Sequence, residues 1–383
     1  MRRIWFASPG DPRQRTGGYL YNAQIIERLS ARGFDVAPIR LADGFPAPSE
    51  ADLADARRQL GSLAGNGLLV VDGLALGAFD AATLDALEVP LVALVHHPLC
   101  DEAGTSDAFR RQAFASERAA LARAQQVIVS SPHTASALAA RFDVPAQMID
   151  VVEPGVVQPD GGYVMPAARG RGRPPRILSV GSLTPRKAHD VLISAVAELR
   201  DFAWEADIVG SPHHAPETAD ALAKQIVDAG LSTRIVLRGE LDALSLVQLY
   251  RRADIFALAT RHEGYGMVFS EAMTLGLPIV TCRVGAVPDT VPEQAGMLVP
   301  VDDPTAFAAA LGRLLDDTST WKTYARGAAD IGAELPSWDD AADRFAAALG
   351  KVADPAECRR RGSREGASPI DVLDDAQVSG GKP

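Results

Sequence analysis

Cysteine is scarce, with three residues in 383, and Cys100, Cys282 and Cys358 stand too far apart for a metal-ligand spacing or a disulfide framework. That scarcity argues against a disulfide-stapled secreted scaffold and leads us to expect a reducing, cytoplasmic setting. Long apolar runs are also missing: none approaches the roughly 18 residues that a membrane-spanning helix needs. The opening MRRIWFASPGD sets two arginines before only a few apolar residues, too short for a signal-peptide core. An excess of positive charge is lacking as well. The formal net charge is −11, spread over both halves, so no nucleic-acid partner is expected.

What the chain does have is apolar material: 47% of its residues are hydrophobic, enough for two cores, since single cores stop growing near about 250 to 300 residues. Apolar runs near 2–7, 68–72, 91–95 and 126–130 alternate with helical patterns such as Tyr19 to Ala31, where Leu20, Ala23, Ile26 and Leu29 recur at helical spacing. A second series follows at 176–181, 205–210, 234–239, 253–259 and 278–282, again separated by turns or helical patterns. The rhythm predicts an α/β protein of two doubly wound, Rossmann-like domains. Residues 1–157 form the first and 176–335 the second, with about 336–350 crossing back to the first. Residues 158–175, rich in Gly, Pro and Arg, read as a linker, and 351–383 as a disordered tail.

Ligands of open α/β sheets sit beyond the carboxyl ends of the strands, which makes a cleft between the two halves the expected site. Two loops there carry candidate chemistry. In RILSVGSLTPRKAHD the strand ends at Gly181, and Arg186 and Lys187, the first lysine of the chain, precede a helix. Fixed cations at such a junction suit a diphosphate, although an Arg-Lys pair also fits a solvated loop. In RHEGYGMVFSEAM, Glu263 and Glu271 lie eight positions apart around Gly264, Tyr265 and Gly266. The glycines break any helix through both carboxylates. Glu263 is therefore expected in a loop, the amides of Tyr265 to Val268 at a helix N-terminus, and Glu271 a turn inside. Such amides suit an anion, and the carboxylates suit sugar hydroxyls or simply complement the helix dipole.

Taken together, EGYG, the eight-residue Glu263 to Glu271 interval, GLPIV at 276–280 and GAVPD at 285–289 resemble the signature half of the retaining glycosyltransferases of family 4, which have the GT-B fold. TGG at 16–18, the loop 181–187, VLRG at 236–239 and ADIF at 253–256 extend the resemblance over most of the chain. It implies two facing domains with an interdomain cleft, acceptor in the first and nucleotide sugar in the second, and transfer of a sugar with retention of configuration. Residue by residue, it implies that Glu263 bonds the donor sugar, with the amides of Gly264, Tyr265, Gly266 and Met267 nearby. It places Glu271 on the ribose hydroxyls, Lys187 on the diphosphate, and Gly17 and Gly18 in close approach to the phosphates. Ser182 stands where the family usually has an arginine, which leaves Arg186 as the replacement charge. His96, the first of two histidines ending the strand at 91–95, falls beside the transferred sugar; His97 is left open between a structural role and the acceptor or donor sugar.

No two aspartates are spaced D-x-D, the cation-holding pattern of metal-dependent glycosyltransferases, so no metal and no cofactor beyond the nucleotide-sugar co-substrate are expected, UDP being the family-weighted base. A nucleotide-sugar binding protein without turnover and a nucleotide-sugar epimerase remain alternatives. A nicotinamide dehydrogenase is disfavoured, since neither half opens with G-x-G-x-x-G after its first strand. The acceptor is open among lipid, glycan and small molecule, and peripheral association with the inner membrane face is open with it. The Arg-bearing stretch 109–123 reads first as a solvated helix face, and Ser131-Pro132 as a helix start.

Overall fold

The computed structural model describes residues 3–102, 105–159 and 173–352. Most of the linker reading, residues 160–172, and the tail reading, 353–383, lie outside them. Among the described residues there are two parallel sheets of six strands. The first contains β1 (Arg3–Pro9), β2 (Val36–Leu41), β3 (Gly67–Asp72), β4 (Leu91–Val95), β5 (Gln126–Val129) and β6 (Ile149–Val151), in the order β2-β1-β3-β4-β5-β6. The second contains β7 (Arg176–Val180), β8 (Glu205–Val209), β9 (Ile235–Gly239), β10 (Ile255–Leu258), β11 (Ile279–Cys282) and β12 (Gly296–Val299), in the order β12-β11-β10-β7-β8-β9. This is the expected doubly wound α/β architecture.

Every residue of β3 and of β4 is buried. Helices cover both faces of the sheet, so these central strands read as continuous apolar runs rather than alternating ones. The sequence reading did not name β2, β6 or β12, and all three are edge strands. An edge strand has one hydrogen-bonding side and less cover, so it can be short or interrupted by proline: β6 has three residues, and β2 carries Pro38.

The first helix, Gly17–Ala31, begins earlier than its periodic pattern and turns a different face inward. Tyr21, Asn22, Ile25 and Leu29 are buried, whereas Leu20 is 40% exposed and Ala23 is exposed. The period was right and the phase shifted, because Tyr21 packs edge-on against Trp338 of the last helix. That helix, Trp338–Gly350, starts at a Ser337 capping box with Asp340 and buries Trp338, Ala341, Ala342, Phe345, Ala348 and Leu349. These side chains share one core with Ile4, Phe6, Val70, Leu94 and Ile128 of the first sheet. The stretch 109–123 lies on the helix Asp107–Leu121, where Arg118 pairs with Asp143 and, just beyond its end, Arg123 pairs with Asp85. Ser131 caps the helix Pro132–Arg141 by accepting from the Thr134 amide. No helix among the described residues is long and apolar enough to cross a membrane.

The strand order reverses between β1 and β3 in the first sheet and between β7 and β10 in the second. Loops leaving those strands diverge to opposite faces and open a crevice at their carboxyl ends. The two candidate loops of the second half leave β7 and β10.

Candidate active site

The loop after β7 runs from Gly181 into the short turn Pro185–Lys187 and reaches the helix His189–Ala197 through Ala188, whose φ is +50°. Buried His189 pins it: one ring nitrogen lies 3.0 Å from the Gly181 carbonyl and the other 3.4 Å from Ser179 Oγ. Burial pushes the His189 pKa down to about 4, so the ring stays neutral. Gly181 has no side chain because the Lys187 stem lies over it; a Cβ there would sit 3.1 Å from Lys187 Cγ and Cδ.

The loop after β10 is knitted to the first. The Arg261 amide donates to the Arg186 carbonyl at 2.8 Å, and Thr260 Oγ1 donates to the same oxygen at 3.2 Å. Against this frame Lys187 Nζ meets Glu263 Oε1 at 2.6 Å, and Arg186 Nη1 lies 3.7 Å from Glu263 Oε2 while donating to the His262 carbonyl at 3.0 Å. Glu263 is 4% exposed. Burial would raise its pKa, but the charges of Lys187 and Arg186 prevail and hold the carboxyl below its ordinary value. The loop after β11 clamps its backbone, the Ala286 amide donating to the Glu263 carbonyl at 3.0 Å.

Gly266, at φ +92°, turns the chain into the helix Met267–Thr274 and serves as its N-cap without a side-chain capping bond. A left-handed residue at this point favours glycine; the Phe269 amide donates to the Gly266 carbonyl at 2.9 Å, and the amides of Met267 and Val268 are left to an anion. Glu271 follows one turn in, as expected. Its Oε2 accepts from Tyr250 Oη at 2.9 Å. Tyr265, by contrast, contributes only main chain to this region: its ring is 7% exposed, and its hydroxyl accepts from Ser270 Oγ at 3.2 Å inside the second half.

The first half meets these loops closely. A Cβ on Gly264 would fall 2.3 Å from the His96 carbonyl oxygen, one on Gly18 would fall 3.2 Å from the His96 ring, and one on Gly17 would fall 3.7 Å from Met267 Sδ. His96 Nε2 lies 3.3 Å from Asn22 Oδ1 and 3.8 Å from Asp72 Oδ2, and Asn22 Nδ2 donates to Asp72 at 2.6 Å. Burial lowers the His96 pKa, with Asp72 opposing and His97 assisting. His97 Nε2 pairs with Glu102 Oε2 at 2.7 Å, and Glu102 Oε1 lies 3.4 Å from Arg186 Nε. A chain of polar contacts therefore crosses the cleft from His97 through Glu102 and Arg186 to Glu263 and Lys187. The structure thus brings Gly17, Gly18, His96, His97, Arg186, Lys187, Glu263, Gly264 and Met267 into one region, with Glu271 deeper along the helix Met267–Thr274.

The sequence reading missed Asn22, Asp72, Glu102, Glu117 and Tyr250. Asp72 had a usable signal: an acid ending a wholly apolar strand stands on the ligand side of the sheet. Glu117 did not, since it sits in a helix that reads as solvated; yet it is 2% exposed and both its oxygens accept from the Leu99 amide, at 3.1 and 3.0 Å. Among the described residues no group of three His, Cys, Asp or Glu side chains is placed to hold a metal ion.

Two facing parallel sheets, with the switch-point loops of one meeting glycines and histidines of the other across a cleft, define a protein of the GT-B fold. Residues 69–157 match the family model described as Glycosyltransferase Family 4, and residues 174–317 match that described as Glycosyl transferases group 1. The chain belongs to the family-4 glycosyltransferases. The D-inositol 3-phosphate glycosyltransferase of Mycolicibacterium gilvum is 32% identical over 243 residues, which cover 62% of this chain and 54% of that protein. Its namesake in Salinispora tropica is 33% identical over 252 residues, covering 58% and 50%. The chain thus spans about half the length of these curated relatives. Among solved structures, sucrose-phosphate synthase from Thermosynechococcus elongatus superposes with a TM-score of 0.77 at 20% identity, covering 95% of this chain and all of that one. Anabaena HepE in complex with UDP and glucose gives 0.72 at 19%, covering 92% of this chain and 100% of that one.

Proposed function

We propose that the protein transfers a hexosyl group from a nucleotide sugar, with UDP-sugars the first donors to test, to an acceptor hydroxyl, with retention of configuration and without a metal ion. The observation that carries this reading is the Lys187–Glu263 pair at 2.6 Å, made by loops from the two strands at the switch point of the second sheet and set beside an uncapped helix N-terminus. Lys187, Arg186 and the amides at Met267 supply fixed positive charge for the diphosphate, where D-x-D aspartates would otherwise recruit a cation. Groups of this kind contribute about 3 kcal/mol each when removed singly.

In the reaction the bond from the sugar C1 to the diphosphate oxygen breaks, and its electron pair leaves on the diphosphate. The acceptor oxygen bonds to C1 from the same face, and its proton passes to the departing phosphate oxygen. When phosphate takes Lys187, Glu263 is released to accept hydrogen bonds from sugar hydroxyls. His96, neutral and held by Asn22 and Asp72, faces that position from the acceptor half. The approach of Gly264 to His96 excludes water from the reacting atoms, favouring transfer over hydrolysis. The names of the curated relatives make a phosphorylated cyclitol the first acceptor to try, ahead of lipids and glycans.

The test is a thermal-shift panel of UDP-, GDP- and ADP-sugars with and without chelator, followed by product analysis with candidate acceptors. One donor should raise the melting temperature whether or not chelator is present. Lys187→Ala should weaken that donor at least about tenfold, while Glu263→Ala should chiefly lower turnover. Undiminished donor affinity in Lys187→Ala would overturn the diphosphate site. Donor binding with no transfer to any acceptor would instead favour a binding protein.

A further inference from the structure

Tyr250 belongs to the helix Ala243–Arg252, which none of the sequence motifs singles out. Its side chain is 2% exposed, and its ring stacks on Phe256 of β10 with centroids 5.9 Å apart and planes inclined by 14°. Two ring contacts in series, Tyr250 on Phe256 and Phe256 on Phe269 at 5.7 Å, seat the phenol against the helix Met267–Thr274. The hydroxyl donates to Glu271 Oε2 at 2.9 Å, with the Val268 carbonyl as a second acceptor at 3.4 Å. Glu271 Oε1 takes no protein hydrogen bond among the described residues. One oxygen is fixed and the other is left for a ligand.

We propose that Tyr250 is a positioning residue of the nucleotide site: it holds Glu271 as an oriented carboxylate that accepts from the vicinal hydroxyls of a ribose, and it thereby makes ribose recognition depend on a proton. The proposal rests on the donor reading above and adds the residue that tunes it. A vicinal diol offers two donors, which an ionised carboxylate can accept together. A protonated carboxyl has become a donor at one oxygen and loses that complementarity.

The surroundings leave the phenol as the controlling neighbour. The helix of Glu271 packs against the helix Thr318–Glu334, whose titratable side chains Lys322, Tyr324, Arg326, Asp330 and Glu334 make no hydrogen bond or ion pair with it among the described residues. It packs also against β11, whose titratable group is the Cys282 thiol. Arg251 and Arg252, next to Tyr250, are exposed. Burial pushes the Glu271 pKa up to about 7, and the Tyr250 hydrogen bond pulls it back towards the ordinary range. Ribose recognition should therefore strengthen as pH rises through about 7, and loss of the phenol oxygen should move that midpoint upward.

The experiment measures, by calorimetry between pH 6 and 9, the affinity of the whole chain for whichever of UDP, GDP or ADP it binds best, and for the 2′,3′-dideoxy form of the same nucleotide. The two share identical titrating phosphates, so their affinity ratio isolates the ribose hydroxyls. In the wild type the ratio should rise through neutral pH. Tyr250→Phe should lower it roughly three- to tenfold at pH 7, with recovery at pH 9, a rescue that a purely structural defect would not show. Glu271→Gln should give a low ratio that no longer depends on pH, and it carries the test if Tyr250→Phe fails to fold. A flat ratio in the wild type, or the same profile in Tyr250→Phe, overturns the inference while leaving nucleotide binding intact. Binding of none of the three nucleotides would overturn the donor reading itself.

Discussion

Gly264 shows how much a single missing side chain controls. The nearest atom to its absent Cβ is not a flexible tip but the main-chain carbonyl oxygen of His96, at 2.3 Å. Gly264→Ala must therefore push the two halves apart at the place where we propose that sugar and acceptor meet, stretching the Arg186–Glu102 contact of 3.4 Å. We expect kcat to fall by at least about tenfold, since an ångström of misplacement commonly costs about a hundredfold, while the melting temperature changes little. Unaltered kcat would show that the closed approach is not the reacting state. The two glutamates, the lysine and the glycines were legible because they lie in short, spaced motifs. Their partners were not: Tyr250 is 21 positions from Glu271, and His96 is 74 from Asn22. Such pairings are set by how strands are ordered across a sheet, and no local pattern encodes that order.

Cover decided the legibility of most elements, the exception being the edge strand β9, which shows as an apolar run despite its exposed residues. Central strands, sealed on both faces, announce themselves as apolar runs, whereas the edges β2, β6 and β12 had too little burial to impose one. Helix faces are a subtler case. Leu20, Ala23 and Ile26 satisfied the helical period as well as Tyr21 and Ile25 did, and only the arrival of the helix Trp338–Gly350 decides which set is buried. Phe345 of that helix is fully buried and stacks on Phe6 of β1 with centroids 6.4 Å apart. Phe345→Ala should cost about 3 to 5 kcal/mol by leaving a cavity between helix and sheet. Denaturant titration checks this, and a loss below about 1 kcal/mol would mean the helix is dispensable to the first sheet.

The molecule as a whole carries buried groups that titrate in opposite senses. His189 and His262 are both pushed by burial down to about 4, and His96 is lowered too. They bind protons in the unfolded chain before the folded one, so stability falls as pH drops below the ordinary histidine value of about 6.5. Burial raises Glu117 to about 8 and Glu271 to about 7. These two stay protonated in the folded state after the unfolded chain has lost those protons, so the stability they contribute at acid pH is lost as pH rises through those values. Between the ordinary carboxylate range and 6.5 the histidines oppose the two carboxyls; from 6.5 to about 8 the carboxyls act without them. Stability should therefore decline as pH rises above about 6.5, by up to about 1.4 kcal/mol per pH unit for each carboxyl still protonated. Glu117→Gln should flatten the alkaline limb in a melting series, and an unchanged slope would show that Glu117 ionises as it does in the unfolded chain.

The returning helix also fixes an order of events during synthesis. The first sheet leaves the ribosome early, but Ile4, Phe6, Val70, Leu94 and Ile128 wait on one face for residues 338–350, which emerge only after the whole second sheet has been made. Vectorial folding therefore runs against chain order here: the half translated first is the last to be sealed.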